Sequence, residues 1–173
     1  VAEALAGLAE GTERPAAALP LLAPEEERAL VEAENATRTA YPADRTVDAL
    51  VRARVAAAPG AVAVEDAARS LTFAEIDAAA DAVAAALQAR WPAPGARIAV
   101  SVPRDADLPA RLLGILRAGH AYVPLDPAQP EARRRQVVEA ARADGLLATA
   151  GTAIEAGVPV IRADALAPGG RPA

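Results

Sequence analysis

Residues 116–126 read Leu-Arg-Ala-Gly-His-Ala-Tyr-Val-Pro-Leu-Asp. A helical pattern from Asp105 to Ala118 runs into this stretch, with Leu112, Ile115 and Leu116 expected to pin it to a sheet. It stops at Gly119, where a left-handed backbone costs glycine least. Ala121–Pro124 is a short strand; Pro124 has no N–H to donate, so the strand must end there or lie at a sheet edge. Asp126-Pro127 forms a turn whose carboxylate can accept backbone N–H groups. The neighbouring segments repeat the same alternation. Strands are expected at 97–102, 145–149 and 158–161, a helix at 131–143, and a short helical turn at 152–156. Strands alternating with helices predict an α/β fold with a mainly parallel sheet and covering helices.

Upstream, the pattern changes. Ala61–Glu65 and Ser70–Phe73 read as a β-hairpin ahead of the alternation. Thr72 with Glu75 three residues on is a capping box opening a helix. Ile76, Ala80, Val83 and Leu87 form its apolar stripe, and it should end before Pro92. Thr46 caps an earlier helix with Val47, Leu50, Val51 and Val55 on one face, closed by Pro59-Gly60. Pro24, followed by Glu25–Glu27, starts another helix running to about Asn35. Residues 1–20 read as an Ala/Leu helix, a break and an extended segment. Leu19–Leu22 is an apolar docking stretch between prolines.

The apolar fraction is 53%, but Ala supplies 51 residues, while Leu, Ile, Val and Phe together supply 38. That lies just above the level at which a charged chain stays disordered, so the core is thin. All 18 basic residues are Arg, and the net charge of −5 disfavours a nucleic-acid partner. The Arg133–Arg135 run reads as a solvated helix face. With no Cys, disulfides and thiolate metal sites are excluded, which fits a reducing, cytoplasmic location. There is no apolar run of ~18 residues and no signal peptide, so no membrane is expected. The first residue is Val and Met is absent; a piece of a longer polypeptide is expected.

Leu116–Asp126 meets every fixed position of the second core motif of the adenylation domains of non-ribosomal peptide synthetases, L-K/R-A-G-x-A-Y-V-P-L/I-D, and so resembles that family. Leu71-Thr72-Phe73-Ala74-Glu75-Ile76 is similar to the family's first core motif, L-T/S-Y-x-E-L, with Phe for Tyr and Ile for Leu. The stretch from Leu19 to Thr37 resembles the linker joining a condensation domain to an adenylation domain, with Glu34-Asn35 where that linker carries Trp-Asn. The likeness covers roughly residues 19–165. It implies the N-terminal portion of an adenylate-forming enzyme's large subdomain, an incomplete domain. Residues 1–45 are expected to be the tail of a condensation domain and an interdomain linker. Residues 46–173 are expected to be the start of the adenylation domain, ending before its phosphate loop.

The resemblance also implies an activity. A complete adenylation domain activates an amino acid with Mg-ATP as an aminoacyl adenylate and loads the phosphopantetheine thiol of a carrier protein. The implied partners are the condensation domain, the rest of the adenylation domain and the carrier protein. The family's loop T-S-G-T-T-G-x-P-K-G does not occur here, and a chain without Lys cannot supply the family's catalytic ammonium. No catalytic, cofactor-binding or metal residue is therefore assigned, and the chain by itself is expected to be inactive, with no cofactor of its own. Two alternatives stay open: an adenylation-like module serving as a structural or interaction element, and a fragment of another acyl- or aryl-adenylate-forming ligase.

Other candidates carry less. His120 is the only His and has no Cys or second His to complete a zinc site. Ser101 follows a strand without a G-x-S-x-G elbow. Asp105 and Asp107 read as carboxylates at a helix N-terminus, Asn35-Ala36-Thr37 as a chance sequon, and Trp91 and Tyr122 as packing aromatics.

Overall fold

A computed structural model describes residues 5–7, 9 and 22–166. Of the expected N-terminal helix only Leu5–Gly7 and Ala9 are described, and they are helical. Leu19–Leu21 and the expected closing loop at 167–173 lie outside the described residues. The chain divides into two units, Val1–Asp44 and Arg45–Ala173.

The first unit contains α1, Pro24–Arg28, which continues as a wider π-type turn, Ala29–Ala33. Pro24 opens it with its fixed φ, and Glu25–Glu27 place carboxylates where the helix dipole favours them. The Asn35 amide donates to the Leu30 and Val31 carbonyls at 3.1 and 3.0 Å, so the asparagine of the sequon closes this helix.

The second unit begins with α2, Val47–Ala57, capped by the Thr46 hydroxyl, which accepts from Ala49 N–H at 3.2 Å. Its expected apolar face is only half realised. Val47 and Leu50 are exposed, Val51 packs on the core, and no residue of α2 is buried. The hairpin follows as β1, Val62–Glu65, and β2, Ser70–Thr72, antiparallel with a bulge between Val62 and Val64. Next is α3, Phe73–Arg90, with the Thr72–Glu75 capping box formed and all four predicted stripe residues buried. Glu75 accepts from the Thr72 N–H and hydroxyl, and those bonds hold its carboxyl below the usual carboxylate range.

Then comes the alternation: β3 Arg97–Ser101, α4 Leu108–Arg117, β4 Ala121–Pro124, α5 Glu131–Ala140, β5 Gly145–Ala148 and β6 Val160–Arg162. The four strands form one parallel sheet in the order β4-β3-β5-β6. The expected α/β fold with a hairpin ahead of a parallel sheet is the fold observed. β4 is an edge strand ending at Pro124, as a residue without a donor requires. Alternate residues of the strands feed two cores. Ile98, Val100 and Leu147 meet Val83 and Leu87 of α3 and Ile115 of α4 on one face. Ala99, Leu146 and Ala148 meet Val138 of α5 and Leu125 on the other.

Gly119 adopts φ +82° after α4, with Gly119 N–H bonding Leu116 O and His120 N–H bonding Ile115 O, each at 3.0 Å. This is the paired bond pattern of a glycine helix stop. Local boundaries differ from expectation where side chains capture the backbone. α4 starts at Leu108, not Asp105, because Asp105 accepts from Asp107 N–H and Asp66 takes Ala106 N–H. Leu116 is exposed; Leu113 is the buried residue, facing α3. Tyr122, expected to pack, is 41% exposed.

Asp66 ties the hairpin turn to the start of α4. Its carboxylate accepts from Ala68 N–H at 2.7 Å, Arg69 N–H at 2.9 Å and Ala106 N–H at 2.8 Å. Those bonds hold its carboxyl below the ordinary range. A depressed folded pKa contributes stability that is present above the unfolded value and lost as pH falls through the folded one. Replacing Asp66 by Ala should therefore flatten the acid limb of stability below about pH 4. Urea midpoints taken from pH 2 to 7 test this; an unchanged acid slope would rule it out.

Candidate functional site

In open α/β sheets, ligands bind beyond the carboxyl ends of the strands, at the point where connections leave to opposite faces. Here that point lies between β3, whose chain leaves to α4, and β5. Ser101 ends β3 and is completely buried. Its hydroxyl donates to Thr152 O at 2.8 Å and accepts from Arg134 Nη1 at 3.0 Å. The same Nη1 donates to Thr152 O at 2.8 Å, and the Thr152 hydroxyl bonds back to Ser101 O. Thr149 N–H donates to the Thr152 hydroxyl at 3.1 Å.

This network has three consequences. Ser101 is neither accessible nor free, so it is no nucleophile. The helical turn expected at 152–156 does not form, because Thr152 O, its first acceptor, is already engaged by Ser101 and Arg134. Finally, Arg134 differs from its neighbours. Arg133 and Arg135 are exposed, as expected of a solvated face, whereas Arg134 turns inward and its Nε is buried without a partner among the described residues. The crevice at this switch point is filled by structural hydrogen bonds.

The open space lies one strand over. A cleft of about 450 Å³ sits beyond the carboxyl ends of β3 and β4. Val100, Val102, Leu108 and Leu112 give it apolar walls, while Arg104, Arg133 and Asp126 supply its charges. The Asp126 carboxylate accepts Ala128 N–H at 3.0 Å, fixing the turn after β4 as expected. Its size is that of a small-molecule cleft. Among the described residues its side-chain chemistry is apolar contact, one carboxylate already engaged in a turn, the Gln129 amide and two guanidinium groups. No group of three His, Cys, Asp or Glu suited to a metal occurs among the described residues.

None of the other candidates lines the cleft. His120 immediately precedes β4, at the opposite end of that strand from Asp126. It is 4% exposed, and neither ring nitrogen has a hydrogen-bond partner among the described residues. Asp105 and Asp107 stand just ahead of α4 and both pair with the buried Arg111, at 2.8 and 3.3 Å; Arg69 joins Asp107. Trp91 lies against Gly145, with the Arg90 guanidinium 5.6 Å above its ring.

Sequence reading misses a second arginine as well as Arg134. Arg117, the basic residue of the 116–126 stretch, is 6% exposed in its side chain. It donates to Asp48 of α2 at 2.9 Å, and to Asp77 and Asp81 of α3 at 2.7 Å each. Burial pushes the guanidinium toward its neutral form, but these bonds outweigh that and raise its pKa above the ordinary value. It is a hub joining three helices.

A family model described as AMP-binding enzyme matches residues 51–168. A linear gramicidin synthase polypeptide of Brevibacillus parabrevis is 40% identical over 129 residues, 75% of this chain. The AMB antimetabolite synthetase AmbB of Pseudomonas aeruginosa is 43% identical over 115 residues, 66% of this chain. The chain spans 2% and 9% of the lengths of these two relatives. Among solved structures, the non-ribosomal peptide synthetase FmoA3 in its AMPPNP-bound form superposes with a TM-score of 0.73 at 27% identity. That match covers 95% of this chain and 18% of FmoA3.

Proposed function

Since the chain belongs to the AMP-binding enzyme family, we propose that it forms the N-terminal part of an adenylation domain in a non-ribosomal peptide synthetase. The complete domain activates an amino acid with Mg-ATP as an aminoacyl adenylate and passes the acyl group to phosphopantetheine on a carrier protein. In this reading residues 1–45 come from a condensation domain and its linker, and residues 46–173 open the adenylation domain. The condensation domain and the remainder of the adenylation domain are then neighbours in the same synthetase.

One observation carries the reading: the region matched by the family model encloses both Leu71–Ile76 and Leu116–Asp126. Physically the two stretches are structural. The first supplies a helix cap, and the second a helix stop, an edge strand and a turn. The described residues do not fit Mg-ATP. They include no metal-binding cluster, and the cleft has two arginines but no glycine- and hydroxyl-rich loop to cradle phosphates. No helix among the described residues is long and apolar enough to cross a membrane.

Amino-acid-dependent ATP–pyrophosphate exchange tests the proposal. This chain alone should give none with any amino acid. A polypeptide that continues from it into the rest of the synthetase should exchange with one or a few. Exchange by the chain alone would overturn the assignment, as would an inactive but folded extended polypeptide.

A further inference from the structure

We propose that α2 is a releasable strap, held to the α/β body mainly by charge and able to leave it while the sheet stays folded. α2 is the first element of its unit, so the chain enters through it. None of its residues is buried, whereas α3 buries six and α4 five. Its attachments are few. Val51 packs against the outer cluster of Ile76 and Leu113. Arg54 lies 5.5 Å over the Phe73 ring. Asp48 reaches Arg117, and Arg52 reaches Asp81 at 3.2 Å.

The receptor for Asp48 is already assembled without it. Arg117 is held by Asp77 and Asp81, and by the Asp77 carbonyl at 3.0 Å. Removing α2 therefore leaves no unpaired buried cation at this position. The hinge lies directly behind the helix. Ala58 has φ −153° and ψ 65°, while the next residues are fixed to the body by Ala74 N–H to Pro59 O and Phe73 N–H to Ala61 O, each at 3.0 Å. Rotation at Ala58 swings α2 without disturbing the hairpin. Elements with few buried apolar contacts and exposed hydrogen bonds occupy the low end of the local-stability range.

Residue-resolved hydrogen exchange on the whole chain decides this. In low salt, amides of residues 51–57 should exchange at least about 100-fold faster than those of β3 and β5. Raising NaCl to about 1 M should speed α2 roughly two- to fivefold further, since the exposed Arg52–Asp81 pair is screened, and leave β3 and β5 unchanged. Asp48→Asn removes the less exposed Asp48–Arg117 pair and should also speed α2, while the Arg52–Asp81 pair keeps its response to salt. The strap is refuted if α2 exchanges in step with β3 and β5, or if salt or Asp48→Asn accelerates all three together. The salt series on the unsubstituted chain keeps the test valid even if the variant fails to fold.

Discussion

Replacing Arg117 by Met is expected to lower the unfolding free energy by about 3–5 kcal/mol, the cost of removing one partner from a buried ion cluster. The side chain is 6% exposed, and Asp48 and Asp77 are 19% and 22% exposed. Met would fill much of the volume, so the loss is one of charge and hydrogen bonding more than of packing. Three carboxylates would then face one another with only Arg52 to offset them, and Arg52 is 47% exposed. In a chain of this size the change corresponds to roughly 10 °C in Tm. Arg52→Met is the matched control: exposed pairs contribute about 0–1 kcal/mol. Arg117→Lys should fall between them, because an ammonium keeps the charge but cannot offer a planar fork to three acceptors. Urea unfolding followed by helical circular dichroism measures all three. If Arg117→Met and Arg52→Met behave alike, Arg117 is not the hub.

The same residue shows where sequence reading succeeds and where it runs out. Gly119, Pro124, Thr72 with Glu75, and Asp126 are legible because each acts within a few residues of itself. The alternation of strands and helices is legible because a parallel sheet demands crossovers. Arg117 is not, because its partners lie 69, 40 and 36 residues away and only the packed helices bring them together. Arg134 escapes a sequence reading for the same reason. In sequence it is one of three equal arginines; in the fold it alone faces Ser101 and Thr152. Thr152 shows the converse, a local helix preference overruled by a bond to a residue 51 positions away. The candidate cleft is not legible in the sequence, because it depends on how β3, β4 and their helices meet.

A comparable effect is expected at Gly114, in the interior of α4. Glycine there costs about 1 kcal/mol relative to Ala by helix propensity, so on local grounds Gly114→Ala should stabilise. The packing reverses that sign. A Cβ at Gly114 would lie 2.5 Å from Val83 Cβ and 2.7 Å from the Ala80 carbonyl oxygen. Neither neighbour can rotate aside, since one is the branch point of a buried side chain and the other is helix backbone. The α3–α4 crossing must open instead, disturbing Leu87 and Ile115, both completely buried. Overpacking of this kind costs about 1–3 kcal/mol or more, and two rigid contacts put it at the upper end. Gly114→Ala should therefore lose about 2 kcal/mol net. Gly114→Leu should abolish the cooperative transition, because a core this thin has little else to hold α4. Gly151 supplies the contrast: its Cβ would meet nothing within 4 Å, and Gly151→Ala should stay within about 0.5 kcal/mol of the parent. Equal stability of the two Ala variants would mean that α3 and α4 do not cross this closely. The glycine that breaks the helix rule would then have no packing reason to be there.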